Sequence, residues 1–264
     1  LRAELSRASH VAAPVMLGSV TDCYQPIERE LGLTRRLIEV LAEARHPFSI
    51  VTKGSGVERD LDLLAPLARQ GLASVHITLT TLDADLARHL EPRAAAPHRR
   101  LRSIRALTEA GVPVGVSLAP QIPFINEDLE MVLEAAADAG ARHAFYAVLR
   151  LPWEVAPLFE QWLQVHYPDR ARRVMERVRD LHGIQGEQRE AGRVYNAEFG
   201  QRMKGTGHWA ELLRQRFALA CRRYGFNREP LRLDCSLYHP SLLLPQRSLF
   251  LSLIHISEPT RRRG

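Results

Sequence analysis

Five short runs rich in β-branched and aliphatic residues constrain the fold of this 264-residue chain most strongly. They begin at residues 14, 48, 74, 113 and 143, so consecutive starts lie 34, 26, 39 and 30 residues apart. Segments with apolar residues at helical spacing fill the intervals, and no two-residue hairpin signal interrupts them. This spacing is typical of βα units, in which helices join parallel strands. We therefore expect an α/β fold.

Alternation within the runs distinguishes two α/β architectures. In the third run His76, Thr78 and Thr80 share one face, and the opposite face is aliphatic. The fourth run repeats the pattern with Gly115 and Ser117. A polar, small-residue face suits the lumen of a barrel, whereas a doubly wound sheet, the alternative, is apolar on both faces. The pattern favours a TIM-type (β/α) barrel or an open arc of one.

The chain divides into three parts by composition. Residues 1–152 carry the βα pattern, and residues 153–250 are expected to form a C-terminal helical and loop extension. Residues 251–264 resemble the translation of a sequencing adapter, so we expect a non-native tail there and exclude it from functional reasoning. No apolar run is long enough to span a membrane, and no secretory signal pattern is present. We expect a cytoplasmic monomer without a membrane partner.

Charge permits, but does not require, an anionic partner. The chain has 36 Lys and Arg residues against 30 Asp and Glu residues, for a net charge of +6. Nucleic acid is one partner that such a balance allows. All the basic residues except Lys53 and Lys204 are arginine, which also indicates a GC-rich coding bias and a solvated basic surface. Lys53 is therefore notable, because this chain uses arginine at nearly every other basic position and lysine offers a more compact charge.

In a parallel barrel, reactive groups gather at the carboxyl ends of the strands. Half of the residues at those positions carry hydroxyls, and a single carboxylate and a single ammonium among them could be paired. The residues are Thr21, Asp22, Cys23, Thr52, Lys53, Thr78, Thr80, Ser117, Pro120, Gln121, Tyr146 and Arg150. The HExxH, GxxxxGK[ST] and GxSxG motifs are absent. The set suits a polar zwitterion, with Asp22 receiving an α-amino group and Lys53 an α-carboxylate. A structural ion pair at the rim is the alternative.

Four segments in order carry a family resemblance: TDCYQPIE, SIVTK, HLEPRAAAPHRRL and GVPVGVSLAPQIPFIN. Across residues 11–225 the chain resembles the radical S-adenosylmethionine proteins related to spore photoproduct lyase, the DNA repair photolyase-like group. The resemblance implies a partial (β/α)6 barrel and a [4Fe-4S] cluster on a CxxxCxxC loop, with S-adenosylmethionine bound at its open iron. It also implies a 5′-deoxyadenosyl radical acting on an unknown substrate, with a DNA-repair lyase among the options.

The chain departs from that family in its cysteines and its strand count. It has no CxxxCxxC, and Cys23, Cys221 and Cys235 are too scattered for a cluster loop or a disulfide framework. Only five strands are visible, and the first matches the family's second. We therefore expect a fragment that lacks the first strand and the cluster ligands, holds no metal of its own and is inactive as it stands. A cluster-less relative is the alternative.

Cys23 is therefore not expected to be a cluster ligand. It lies where the family usually carries proline, and the hydrogen-donor cysteine of spore photoproduct lyase corresponds to Ser19. A displaced hydrogen donor is the remaining catalytic hypothesis for Cys23.

The resemblance assigns roles to individual residues. Thr21 and Asp22 would meet the amino end of S-adenosylmethionine, and Lys53 would meet its carboxylate. Other residues expected to bind the cofactor are Thr78, Ser117, Ala119 and Pro120. The substrate side, which could face DNA or a nucleotide, would include Glu91, Arg93, Arg100, Tyr146 and Arg150, although a structural capping role is equally open for the first three.

Residues 246–250, QRSLF, resemble the pentapeptides that dock on the bacterial sliding clamp. Gln246 would bond the pocket rim, while Leu249 and Phe250 would fill an apolar cleft. Packing of this segment on the barrel is the alternative. Two rival functions stay open: a cluster-less (β/α)-barrel lyase or hydrolase using Asp22 and Lys53, and a non-enzymatic DNA-associated module on the C-terminal helices.

Overall fold

The structure is a computed structural model, and it describes residues 1–7, 9–187, 194–195 and 202–243. The strands are β1 (Val15–Leu17), β2 (Phe48–Thr52), β3 (Ala73–Thr78), β4 (Val114–Gln121) and β5 (His143–Val148). The helices are α1 (Arg2–Leu5), α2 (Glu28–Leu31), α3 (Leu33–Glu43), α4 (Leu61–Arg69), α5 (Ala84–Leu90), α6 (Pro97–Glu109), α7 (Leu129–Asp138), α8 (Val155–His166), α9 (Ala171–Leu181) and α10 (Gly207–Tyr224). Short 3-10 helices cover Gly56–Asp60 and Pro240–Leu243.

All five strands are parallel, and their order in the sheet follows their order in the chain. Right-handed crossovers between successive neighbours keep the helices on one side of such a sheet. A doubly wound sheet instead reverses its strand order at a switch point. The sequential order therefore confirms the predicted α/β partial barrel.

The strands alternate as their sequences predict. Val75, Ile77 and Leu79 are fully buried in the main apolar core, on the helix-covered side. On the concave side, Met16 and Phe145 keep 48% and 36% of their surface exposed. One face of the sheet thus packs on helices, and the other forms a partly open lumen.

β1 is shorter than the predicted run at residues 14–22, and Gly18 explains why. Its backbone takes a φ of +86°, and a Cβ placed there would lie 2.1 Å from the Val51 carbonyl oxygen. Glycine allows the chain to turn tightly against β2 at this point. The residues after it, including Asp22, therefore form a loop at the carboxyl end of the sheet.

After β5 the described chain contains helices and loops but no strand, and α10 packs on α7 and α9. The Arg216 guanidinium joins α10 to α7 through two contacts with the Glu130 carboxylate, at 2.8 and 2.7 Å. Within the described ranges, no helix is both long and apolar enough to cross a membrane. The clamp-docking residues 246–250 and the tail 251–264 lie outside the described residues, so those expectations stay predictions.

Candidate functional site

The Asp22 carboxylate ties the end of β1 to the end of β2. Its Oδ1 accepts hydrogen bonds from the Thr52 hydroxyl at 2.7 Å and the Tyr24 amide at 2.9 Å. Its Oδ2 accepts one from the Lys53 backbone amide at 2.7 Å. A carboxylate offers about four lone-pair positions, so one position on Oδ2 is left for a further donor. Asp22 is thus both a structural clamp and an acceptor with spare capacity.

The Lys53 ammonium pairs with Glu91 rather than with Asp22. Nζ lies 3.1 Å from Glu91 Oε1, and the Thr80 hydroxyl donates to the same oxygen at 2.7 Å. Arg100 donates to Glu91 Oε2 at 2.5 Å and to the Thr78 carbonyl at 3.0 Å. The Arg100 and Glu91 side chains are 2% and 7% exposed, whereas Lys53 is 36% exposed. Lys53 is therefore the member of this network that an incoming ligand reaches.

Glu91 is ionised within this network. Burial alone raises the pKa of its carboxyl, but the charges of Arg100 and Lys53 and the hydrogen bonds from Thr80 and Arg100 outweigh burial. The pKa therefore lies below its usual range, and Glu91 carries a negative charge at neutral pH.

These groups meet in one cleft of about 450 Å³ at the carboxyl ends of β1 and β2, which we call the rim cleft. It is lined by Asp22, Tyr24, Gln25, Pro26, Lys53, Gly54, Leu90, Glu91, Pro92, Arg93 and Ala94. Four of the residues singled out from the sequence, Asp22, Lys53, Glu91 and Arg93, are thus brought together. Thr21 lies beside the cleft and accepts a hydrogen bond from the Gln25 amide at 2.7 Å.

Thr78 and Ser117 are register partners on adjacent strands, and both are buried on the lumen side. Among the described residues, neither hydroxyl has a hydrogen-bond partner. The Ala119–Pro120 segment follows at the end of β4, where the Ala119 carbonyl faces the Thr80 hydroxyl at 3.4 Å.

Asn126 holds the Ala119–Pro120 segment in place, and sequence reasoning assigned it no part in the site. Its side-chain amide donates to the Pro120 and Thr80 carbonyls, both at 2.9 Å, and its Oδ1 accepts from the Ile122 amide at 2.7 Å. Only 3% of the surface of Asn126 is exposed to solvent. A buried side-chain amide needs hydrogen-bond partners, but the sequence alone does not predict which backbone groups supply them.

Two predicted substrate-side residues lie elsewhere. Tyr146 on β5 packs on Phe217 of α10, with ring centroids 4.8 Å apart. The Arg150 guanidinium lies 3.3 Å from Met203 Sδ. Neither belongs to the lining of the rim cleft. Arg100 lies beneath the cleft and supports Glu91 from inside.

The cysteines do not form a cluster site. Burial, followed by the charge of Asp22, raises the pKa of the Cys23 thiol to about 12, and burial raises that of Cys221 to about 11. Both are therefore protonated at neutral pH, whereas cluster iron binds thiolate. Within the described part of the chain, no group of three or more His, Cys, Asp or Glu residues is arranged to hold a metal ion. The residues present do not fit a [4Fe-4S] cluster.

Comparison with known proteins agrees with the fold. The model of the radical SAM superfamily matches residues 5–136, half of the chain. Uncharacterized proteins of Mycobacterium bovis and Mycobacterium tuberculosis are 36% identical over 185 residues, which cover 69% of this chain and 53% of theirs. A protein of Methanocaldococcus jannaschii is 26% identical over 166 residues, covering 63% of this chain and 61% of its own. The chain spans about half the length of the mycobacterial relatives it matches.

Solved structures of spore photoproduct lyase share the fold. A cysteine-to-serine mutant superposes with a TM-score of 0.56 at 16% identity, covering 85% of this chain and 62% of that one. The complex with a dinucleoside spore photoproduct gives a TM-score of 0.52 at 16% identity, with the same coverage.

Proposed function

The chain belongs to the radical SAM superfamily, and we propose that it supplies the rim cleft of an enzyme acting on nucleic acid or a nucleotide. Members of this superfamily use S-adenosylmethionine together with a [4Fe-4S] cluster. The observation that carries the proposal is the rim cleft, where Asp22, Lys53, Glu91 and Arg93 meet at the carboxyl ends of parallel strands. Barrels of this type place their active sites at that end.

The chain's own residues fit the polar end of S-adenosylmethionine. The free position on Asp22 Oδ2 suits its ammonium, and the exposed Lys53 ammonium suits its carboxylate. The Thr78 and Ser117 hydroxyls and the Ala119–Pro120 segment at the end of β4 would meet the rest of the molecule. Bound there, S-adenosylmethionine would supply the hydrogen-abstraction chemistry, which belongs to the cofactor rather than to the protein. The residues of this chain would bind and orient the cofactor, and they do not fit the cluster.

Two observations support a nucleic-acid or nucleotide substrate. The chain carries a net charge of +6, with arginine in the rim cleft. Spore photoproduct lyase, which shares the fold, has been solved with a dinucleoside spore photoproduct. Repair of a DNA lesion by a lyase reaction is the finer form of the proposal.

The geometry does not favour a cluster-less lyase or hydrolase that uses Asp22 and Lys53 as an acid–base pair. The Asp22 carboxylate bonds the backbone amide of Lys53, while the Lys53 ammonium contacts Glu91. An acid–base pair needs its two side chains within reach of one reacting group.

Ligand-observed saturation-transfer NMR with millimolar S-adenosylmethionine tests the cofactor assignment. Lys53→Met should weaken binding roughly ten- to hundredfold, because one charge-assisted contact is lost. Lys204→Met is a matched control, since Lys204 is the other lysine of the chain and lies outside the cleft. Equal affinities for both variants, or no saturation transfer from the wild-type chain to S-adenosylmethionine, would overturn the assignment.

Fluorescence anisotropy with a labelled single-stranded oligonucleotide tests the substrate class. We expect saturable binding that weakens as salt is added, because phosphate contacts release counterions. Absence of binding at low salt and high micromolar protein would overturn the nucleic-acid proposal and leave the cofactor assignment standing.

A further inference from the structure

We propose that a second cleft, on the other side of Arg93, binds a phosphate group. This cleft of about 390 Å³, which we call the arginine cleft, is lined by Tyr24, Gln25, Pro26, Glu28, Arg29, Gly54, Ser55, Gly56, Arg59, Arg93, Ala94 and Ala95. Three guanidinium groups face it, from three separate segments of the chain. The arginine cleft adjoins the rim cleft and shares six lining residues with it: Tyr24, Gln25, Pro26, Gly54, Arg93 and Ala94.

The one carboxylate in the lining is already neutralised. Glu28 is 5% exposed, and its oxygens accept from the Leu33 and Thr34 amides at 3.0 and 2.9 Å. Arg59 Nη2 lies 3.1 Å from Glu28 Oε1. Glu28 therefore accepts the first amides of α3 and pairs with Arg59. The charges of Arg29 and Arg93 are not balanced by a carboxylate in the lining, so the cleft is positively charged.

The three arginines differ in how they are held. Arg59 is fixed by Glu28 and by the fully buried Asp60, whose Oδ2 is 3.2 Å from Nη2. The Arg29 and Arg93 side chains are exposed, and neither guanidinium has a partner among the described residues. Arg59 donates four of its five guanidinium N–H groups to Glu28 and Asp60, so the two unpaired guanidinium groups of the cleft are those of Arg29 and Arg93.

The wall and floor of the cleft are closely packed. The Tyr24 hydroxyl donates to Asp60 at 2.9 Å, and its ring lies under the Arg59 guanidinium, 5.9 Å from the ring centroid. A Cβ at Gly56 would lie 3.0 Å from Tyr24 Cδ1, so glycine permits the loop to approach the ring. The wall formed by Tyr24, Arg59 and Gly56 is therefore in place before any ligand arrives.

Guanidinium groups match phosphate oxygens with paired, charge-assisted hydrogen bonds. A phosphate held by Arg29 and Arg93, with the one remaining N–H of Arg59, would lie next to a group in the rim cleft, because Arg93 lines both clefts. The source would be the backbone of a nucleic acid or a free phosphate compound. That the phosphate belongs to a nucleic acid is inferred from the proposed function. That the cleft binds a phosphate group at all is inferred from its arginines alone.

The test compares the wild type with Arg29→Gln/Arg93→Gln by anisotropy, using a fluorescein-labelled single-stranded thymidine oligonucleotide. Arg59 is left intact because it holds Glu28 and Asp60. The matched control is Arg102→Gln/Arg105→Gln, two exposed arginines on α6 that line neither cleft. We expect the cleft variant to bind about tenfold more weakly or worse, with a salt slope smaller by about one, and the control to bind nearly as well as the wild type.

The outcomes separate this inference from the proposed function. If the wild type binds the oligonucleotide and both double variants lose equal affinity, the phosphate site is wrong and the nucleic-acid proposal survives. If the oligonucleotide does not bind but inorganic phosphate shows Arg29- and Arg93-dependent broadening in ³¹P NMR, the site stands and its source is a free phosphate compound. If neither probe binds the wild type, both proposals fail.

Discussion

Glu91 pairs with two cations, Arg100 and Lys53, which differ in how far they are buried. Arg100 is 2% exposed and has lost almost all contact with water, whereas Lys53 is 36% exposed. Removing one partner of a buried ion pair leaves an uncompensated charge, which costs about 3–5 kcal/mol. A partly exposed ammonium regains water instead.

We therefore expect Glu91→Gln to lower the free energy of unfolding by about 3–5 kcal/mol. Urea denaturation measures this loss, with Lys53→Met as the matched variant, which should lose far less stability.

The contribution of Glu91 to stability also depends on pH. Its native pKa lies below the unfolded value of 4.5, so its contribution is present above pH 4.5 and is lost as the pH falls through the native pKa. Equal losses for the two variants would contradict the buried-pair account.

His76 is a buried histidine that stays neutral far below its usual pKa. Its ring lies 3.2 Å from the Ser49 hydroxyl and 5.3 Å, between centroids, from Phe145. Burial first, and the charge of His143 second, lower its pKa from 6.5 to about 4. The unfolded chain therefore takes up a proton before the native one does. Stability that is full above pH 6.5 is lost as the pH falls towards 4.

The loss from His76 should total about 3 kcal/mol. NMR titration of its ring protons gives the native pKa directly, and unfolding at several pH values in the wild type and in His76→Gln gives the linked stability. The wild type should lose more than the variant between pH 6.5 and 4. A ring that titrates near 6.5 would show that the lumen is wetter than the packing around His76 implies.

β4 carries a glycine, Gly115, at the point where the His76 ring of β3 lies against it. Gly115 pairs in register with His76, and a Cβ at Gly115 would lie 2.3 Å from His76 Cδ2. We expect Gly115→Ala to destabilise the protein by about 1–3 kcal/mol, because the ring is held by Ser49 and Phe145 and must shift. In a His76→Ala background the same substitution should cost little, so a double-mutant cycle by urea denaturation isolates the contact. Additive losses would show that the ring is not what excludes the methyl group.

Sequence periodicity predicted the strands because alternation reports directly which face meets the helices. The length of β1 escaped prediction because a close approach between Gly18 and the Val51 carbonyl ends it, and that contact joins residues distant in sequence. The same limit applies to the site. Asp22 and Lys53 could be selected as strand-end charges, but their partners could not. The pairing of Glu91 with Arg100, and of Asn126 with three loop groups, is decided by how loops pack after the sheet has formed.

The sheet as a unit explains why the charged groups converge. Parallel strands in sequential order place every strand-to-helix loop at one edge, so the loops after β1, β2 and β3 meet in two adjoining clefts. The helix-facing side is aliphatic, and the lumen side keeps Met16 and Phe145 partly exposed. The charged groups of the two clefts therefore lie at the carboxyl edge of the sheet, while the main apolar core lies on its helix-facing side.

The distribution of thiols over the molecule yields a last prediction, that anaerobic treatment of this chain with iron and sulfide builds no stoichiometric four-iron cluster. Cys23 follows β1, Cys221 lies in α10 and Cys235 follows that helix, so three different segments carry them. Cys23 and Cys221 are also protonated at neutral pH, and iron–sulfur assembly needs neighbouring thiolates. Iron and sulfide analysis after desalting measures the outcome, and a thiol assay on the denatured chain confirms that all three cysteines were reduced. Four irons per chain, lost in Cys23→Ser, would mean that Cys23 is a ligand after all and that the loop after β1 rearranges to expose it.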